Sequence, residues 1–450
     1  MNKIVLPENV KYIIETLEKA GFEGYAVGGC VRDSLLGREP DDWDITTNAK
    51  PLQIKELFRR TIDTGIQHGT VTVLVNKDTY EVTTYRIDGE YEDNRHPKQV
   101  EFTTSLTEDL KRRDFTINAM AYNDRTGLID EFSGIEDIRD CIIRCVGDPI
   151  ERFSEDALRI MRAIRFSAQL GYEIDNETLN AMRKLAGNLK SVSAERINTE
   201  LSKLIISDNP GKLRLAYEYG ILDIILPELS KNMEITQNNP HHCYTVGEHI
   251  MRSVEAIEPD KTLRYCMLFH DIGKAETKTT DEEGIDHFHG HVQLSAQMAS
   301  DICHRLKFDN KTLAAVKQLI AYHDVKMELK HKSVRRMMNK LGSEGFGDLL
   351  KVKQADLLAQ SLYKREEKQA ELDKLRELYL EIIKDNDCVK ISDLAVNGKD
   401  LMEKGITEGP MIGKTLAGLL EMVMDEPGLN TREKLLELID EHYMQNNTIA

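Results

Sequence analysis

A change of texture near residue 150 constrains this chain more than any other feature. Before it, short β-branched runs alternate with glycine turns and brief helical stretches; after it nearly every segment has helical period and prolines are few. That order predicts a small α/β head followed by a long all-helical remainder. A chain of 450 residues exceeds what one hydrophobic core organises, so several modules are expected. We place them at 1–145 (head), 146–235 (helical neck), 236–375 (helical body) and 376–450 (helical tail).

Within the head, residues 8–20 alternate apolar and charged positions with helical period and stop at Gly21. "YAVGG" reads as a strand entering a tight glycine turn, "VRDSLLG" as a short helix and "WDITT" as a strand. "PLQIKELFRR" fits a helix that begins with proline. "GTVTVLV" and "YEVTTYR" are alternating strands joined by "NKDT", a natural hairpin. "SLTEDLKRRDFTINAMAYN" opens with a Ser-x-x-Glu capping box and is expected to continue as helix.

The most informative stretch is "GGCVRDSLLGREPDDWDITT". Asp42 and Asp44, two apart on a strand, would face the same side. Two such carboxylates repel unless a divalent cation bridges them, and Mg²⁺ held there would serve an attacking hydroxyl and a leaving pyrophosphate. Gly28 and Gly29 allow a backbone turn to approach phosphates closely, and Arg32 can pair with them. Glu81, on a nearby predicted strand, is a candidate third carboxylate.

From about residue 22 to 205 this pattern resembles the polymerase-β-type nucleotidyltransferases, specifically the bacterial-type (class II) CCA-adding enzymes and their poly(A) polymerase relatives. The resemblance implies that Asp42 and Asp44 hold the catalytic metals. It also implies that "RRDFTINAMAYN" contacts ribose and triphosphate through Arg113, Asp114 and Asn118. "RIDGEYEDNRHPKQV" resembles the loop these enzymes use when switching from C to A addition, which singles out Asp93 and Arg95.

"SEDALRIMRAIRF" matches the family's nucleotide-selecting block, and its chemistry can be argued directly. Asp156 and Arg159 are three apart and would share a helix face. Cytosine and adenine both present an amino donor beside a ring-nitrogen acceptor. A carboxylate and a guanidinium match both, whereas guanine and uracil put a carbonyl where the amino group would be. Glu155 is expected to support the pair and Arg162 to add contacts. In "SAERINTEL", Glu195 and Arg196 are expected to brace the neck rather than to act in catalysis.

Nine of the thirteen histidines fall between 241 and 323. The order His249, His270-Asp271, His291, His323, Asp356 resembles the ligand series of HD-domain phosphohydrolases, with "FHDIGK" as the core and Lys274 placed to neutralise phosphate. Six such N and O donors suit one or two transition or other divalent ions. His241 and His242 remain rivals to His249 for the first position. The region after 376 resembles the family's helical tail, and its glycine-rich "GITEGPMIG" offers backbone amides to tRNA phosphates.

The net charge of −17 argues against non-specific nucleic-acid binding and leaves room only for a local basic groove. The stretch 151–203 is the least acidic, with Arg159, Arg162 and Arg165 at three-residue steps. Seven scattered cysteines without zinc spacing suit a reducing compartment. With no apolar run of membrane length and no signal segment, the expected address is the cytoplasm, with no membrane partner.

The expected activity is therefore template-independent addition of CCA to tRNA from CTP and ATP, joined to HD-type phosphatase or cyclic phosphodiesterase chemistry. Two alternatives stay open: a poly(A) polymerase or A-adding enzyme, and an HD phosphodiesterase whose head merely binds RNA. Oligomeric state is left open.

Overall fold

The structure is a computed structural model that describes residues 4–88 and 100–441. It divides into two compact units, Met1–Ser230 and Lys231–Ala450.

The first unit is built on a seven-stranded sheet. Its strands come from β1 (Gly24–Val27), β2 (Ile45–Thr47), β3 (Thr61–Gly65), β4 (Thr70–Val75) and β5 (Asp78–Thr84), then β8 (Met120–Asn123) and β9 (Gly127–Asp130). The spatial order is β3-β4-β5-β2-β1-β8-β9. Every neighbouring pair is antiparallel except β2 with β5, where Ile45 lies opposite Val82. Helix α1 (Glu8–Lys19) buries Val10, Ile13, Ile14 and Leu17 in the same core as Ile45, Val71, Val73 and Val82. It ends where Gly21 turns left-handed at φ 86. The β4–β5 hairpin closes where expected, with Val75 opposite Asp78 and Asn76 at positive φ. Helices α2 (Gly29–Leu35) and α3 (Pro51–Leu57) also fall where the sequence places them. Strands β6 (Arg86–Asp88) and β7 (Val100–Phe102) form a separate antiparallel pair. Asp93 and Arg95, between them, lie outside the described residues.

One expectation fails here. The capping box is real, with Ser105 accepting the Glu108 N–H, but helix α4 (Leu106–Lys111) does not run on to 123. A single 3₁₀ turn (Thr116–Asn118) follows, and then the residues "MAYN" form β8. All four residues of that strand are buried, and it pairs with β1 on one side and β9 on the other. Burial on both faces of a central strand outweighs the helical preference of a short Ala- and Met-containing run.

Helix α5 (Gly134–Arg139) closes the head, and a minor parallel pair, β10 (Ile142–Ile143) with β11 (Glu173–Ile174), interrupts the otherwise helical neck. There α6 (Pro149–Glu155), α7 (Leu158–Leu170), α8 (Asn176–Leu185) and α9 (Ala194–Ile205) are followed by the short helices α10 (Leu213–Glu218), α11 (Leu222–Ile225) and α12 (Pro227–Ser230).

The second unit comprises α13 (Val246–Ala256), α14 (Lys261–Phe269), α15 (Lys274–Thr277), α16 (His291–Arg305), α17 (Asn310–Tyr322), α18 (His331–Leu341), α19 (Ser343–Leu358) and α20 (Arg365–Lys384). The last helices, α21 (Gly398–Glu403), α22 (Gly409–Asp425) and α23 (Arg432–Ile439), share a core of Leu401, Leu419, Val423 and Leu435. This unit is not wholly helical. β12 (Lys278–Thr280) and β13 (Asp286–Phe288) form a hairpin that the helical reading missed. Its turn is set by Gly284 at φ 79 and by Asp281, whose Oδ1 accepts the N–H groups of Glu283 and Ile285. None of the seven cysteines is disulfide-bonded. Among the described residues no helix is long and apolar enough to cross a membrane.

Candidate functional site

In the first unit, β1 runs into Gly28, whose φ of 80 reverses the chain into α2. The Gly28 N–H donates to the Met120 carbonyl, and a Cβ at Gly28 would stand 3.0 Å from Arg113 Nη1. Gly29 starts α2 directly behind this turn.

Strand pairing reaches no further back than Ile45. Asp42 and Asp44 therefore lie in the segment entering β2, not on the strand itself as the sequence predicts. The Asp44 carbonyl is tied down by the Val27 N–H at 3.0 Å. The parallel register Ile45↔Val82 brings Asp44 alongside Glu81. Although Asp44 keeps exposed surface, desolvation raises the pKa of its carboxyl; Arg113 opposes that rise, while Glu81 and Asp42 add to it. Three carboxylates thus gather beside the glycine turn, with one guanidinium nearby. The oxygen donors fit Mg²⁺.

A buried chain of polar contacts links the other selected residues. Arg32 donates from Nη1 to Asn118 Oδ1 at 2.5 Å and forks onto Asp33. Asn118 donates to Asp114 Oδ1 at 3.2 Å, and Arg162 Nε donates to Asp114 Oδ2 at 2.7 Å. Burial pushes Asp114 up, but Arg162 and Arg159 outweigh it and hold the carboxyl at about 2. The ring of Phe166, which sequence reasoning passed over, lies under three guanidinium groups, those of Arg165 (3.9 Å), Arg32 (5.0 Å) and Arg162 (5.3 Å). Only its aromatic character amid arginines could have signalled this.

Asp156 and Arg159 do not share one helix face. The helix breaks between Glu155 and Leu158, and Asp156 sits at the break with φ −138 and ψ 103. Its Oδ1 accepts the Leu158 N–H, so the side chain caps α7 instead of projecting from a continuous helix. Arg196 forks onto Asp156, while Arg159 pairs with Glu155 at 2.6 Å and donates to the Arg152 and Arg112 carbonyls. Sequence distance hid the Asp156–Arg196 contact, which joins residues 40 apart. Arg112 and Asp109 were also missed; they form a pair at 2.8 Å, and Asp109 also accepts from Thr46 Oγ1.

In the second unit, all six expected donors converge. His249 lies on α13, His270 and Asp271 follow α14, His291 opens α16, His323 follows α17 and Asp356 lies on α19. His249 Nε2 is 3.0 Å from Asp356 Oδ1 and 3.3 Å from Asp271 Oδ2. His270 Nε2 is 3.2 Å from Asp271 Oδ2. On the other carboxylate oxygen, Asp271 Oδ1 is 3.4 Å from His291 Nε2 and 3.8 Å from His323 Nε2. Two ligand triads therefore share Asp271: one with His249 and His270, the other with His291 and His323.

Each of the four imidazoles also anchors its second nitrogen. Nδ1 of His249, His270, His291 and His323 faces the carbonyl of Ala359, Met267, Phe288 and Ile320 respectively, at 2.7–3.2 Å. That arrangement turns Nε2 inward with its lone pair free, as a metal ligand requires. His270 is driven down by burial but raised on balance by Asp271 and Asp356, whereas burial and His270 push His323 down to about 3. The carboxyls of Asp271 and Asp356 are pushed up by burial, but the neighbouring histidines, with Lys274 at Asp271, hold both well below the usual carboxylate range. The N and O donor set fits a transition or other divalent ion.

Lys274 Nζ lies 2.7 Å from Asp271 and donates to Gln237. Of the rivals to His249, His242 packs edge-on against the His249 ring at 5.1 Å, and His241 contacts Lys368. A cavity of about 1020 Å³ opens beside the cluster, lined by Lys274, Phe288, Lys353 and Lys368 among others.

The chain is similar to known proteins over most of its length. Residues 24–144 match the family described as the poly A polymerase head domain, 171–233 the family described as "Probable RNA and SrmB- binding site of polymerase A", and 276–439 the family described as "tRNA nucleotidyltransferase domain 2 putative". The chain is 35% identical over 435 residues to a CCA-adding enzyme of Lactiplantibacillus plantarum, covering 95% of this chain and 94% of that one. It is 50% identical over 198 residues to the CCA-adding enzyme of Ligilactobacillus salivarius, a match that spans 49% of that relative. Among solved structures, the Bacillus stearothermophilus CCA-adding enzyme in complex with CTP superimposes with a TM-score of 0.72 at 29% identity, over 98% of each chain.

Proposed function

The chain belongs to the CCA-adding enzymes, and from that membership we propose that it completes the 3′ end of tRNA from CTP and ATP in the head and neck and hydrolyses phosphoesters in the body. The observation that carries the first activity is the gathering of Asp42, Asp44 and Glu81 beside the Gly28 turn and Arg113. The division into head 1–145, neck 146–235, body 236–375 and tail 376–450 follows the same roles.

Asp42 and Asp44, with Glu81 beside them, would hold Mg²⁺, which when bound would supply positive charge against that building on the attacking hydroxyl and the departing pyrophosphate. The Gly28–Gly29 turn lets the backbone approach the triphosphate, and Arg32 and Arg113 supply guanidinium charge toward it. The terminal hydroxyl of tRNA attacks the α-phosphate, a new P–O bond forms, and the bond to pyrophosphate breaks. Asp114 and Asn118 orient Arg162 and Arg32 around the ribose and triphosphate. Asp156 accepts from the amino group of C or A and Arg159 donates to the ring nitrogen, so U and G leave buried groups unpaired at about 1–3 kcal/mol each. The tail contributes backbone amides to tRNA phosphates.

For the body, the supporting observation is the inward Nε2 of four histidines around Asp271 and Asp356. The group they hold would supply Lewis acidity toward a phosphoester. Lys274 takes the phosphate charge, and the wide cavity admits a nucleotide-sized ester.

Incubation of the pure protein with tRNA lacking its 3′ terminus and all four triphosphates, followed by sequencing of the 3′ ends, tests the first activity. Ends of CCA are expected. Long A tracts would make it a poly(A) polymerase, a single A an A-adding enzyme, and no incorporation at all an HD phosphodiesterase with an RNA-binding head.

A further inference from the structure

Asp156 is more tightly held than a residue that merely faces a base would need to be. Its Oδ1 accepts from the Leu158 N–H at 3.1 Å and from Arg196 Nη1 at 3.2 Å; its Oδ2 accepts from Arg196 Nη2 at 2.7 Å. A carboxylate offers about four acceptor positions. Three are filled, which leaves one, on Oδ2. The pair is not sealed off: the Asp156 and Arg196 side chains retain 19% and 25% of their surface, enough for a base edge to reach the remaining position. Arg159 is held by a separate set of partners, Glu155 and the carbonyls of Arg152 and Arg112.

We infer that Arg196 is a specificity-determining positioning residue: by clamping Asp156 it leaves a single acceptor position that takes one exocyclic amino N–H and offers no donor to a base carbonyl. The inference rests on the reading of Asp156 as a base-contacting residue. A planar guanidinium with two parallel N–H groups is what fixes the carboxylate plane; an ammonium cannot do so. Without the fork, the carboxylate is free to rotate, and the acceptor position loses its direction. C and A then lose their advantage over U and G. Arg196 comes from the first turn of α9, so this clamp couples nucleotide choice to the packing of α9 on α7.

The test uses the full-length enzyme with tRNA lacking its terminal nucleotides. Steady-state kcat/KM is measured for CTP, UTP, ATP and GTP in wild type, Arg196→Ala, Arg196→Lys and Asp156→Ala. The CTP/UTP and ATP/GTP ratios are expected to fall roughly tenfold in Arg196→Ala and to stay low in Arg196→Lys. A residue that only braced the neck would lower all four values together; ratios equal to those of wild type overturn the inference. Should Arg196→Ala not fold in a thermal melt, Arg196→Lys keeps the charge without the fork and decides by the same ratios. Unchanged ratios in Asp156→Ala sink the base-contact reading itself. Relaxed ratios in Asp156→Ala with wild-type ratios in the Arg196 variants sink only the role of Arg196.

Discussion

A methyl group on Gly273 would stand 2.9 Å from the carbonyl oxygen of His291. The same Cβ would meet Ser295 N at 2.9 Å, so the glycine of "HDIGK" is where two backbones come together and α16 is seated. Gly273→Ala is expected to shift His291 away from Asp271, lowering phosphoester hydrolysis by about tenfold or more and reducing bound metal. CCA addition should stay near the wild-type rate. Hydrolysis at the wild-type rate, with full metal content, would show that the close approach is unimportant.

Asp42→Ala removes one of the three carboxylates beside the Gly28 turn. Nucleotide addition should fall by on the order of a thousandfold, the equivalent of several kcal/mol of charge stabilisation. Hydrolysis by the His270–Asp271 site should be retained. Measurable CCA synthesis by this variant would falsify the assignment.

Gly28→Ala combines two penalties. A side chain at φ 80 and ψ −129 is strained by about 1–3 kcal/mol, and its Cβ would crowd Arg113 Nη1 at 3.0 Å. A modest loss of thermal stability is expected together with a larger loss in kcat for both CTP and ATP. Equal losses of stability with unchanged kcat would mean that Arg113 is not placed by this turn.

Asp114 predicts a pH dependence. Its carboxyl is held at about 2 against an ordinary value of 3.8, so the ionised form is favoured by folding. The contribution, about 2 kcal/mol, is fully present above pH 4 and disappears as pH falls toward 2. Asp114→Asn should therefore flatten the stability profile on the acid side of pH 4 and lower stability at neutral pH. An unfolding titration whose acid limb matches wild type would rule this out.

Much of the head was legible because local chemistry and tertiary demand agree there. Gly28 needs φ above zero, the "NKDT" turn needs Asn76 at positive φ, and the alternation of "GTVTVLV" sends Val71 and Val73 into one core; each is a short-range requirement written into neighbouring residues. The histidine series was legible for a different reason. His249, His270, Asp271, His291, His323 and Asp356 are residue types whose joint occurrence in helices has little other use, even though only folding brings their donor atoms within a few ångströms.

The sequence by itself thus determined an α/β head followed by helices, and it singled out the carboxylates at 42 and 44 and six side chains that the fold brings together in the body. Only the tertiary structure decided that "MAYN" is an interior strand, since β1 and β9 pair with its two edges while Met120 and Tyr122 are buried in one core and Ala121 in another. Only it decided that Asp156 stands at a helix break and faces Arg196 rather than Arg159. Periodicity reports which residues share a face of an unbroken helix, but a break redirects a side chain by more than any spacing rule can register, and the partner it then meets is set by packing between distant segments.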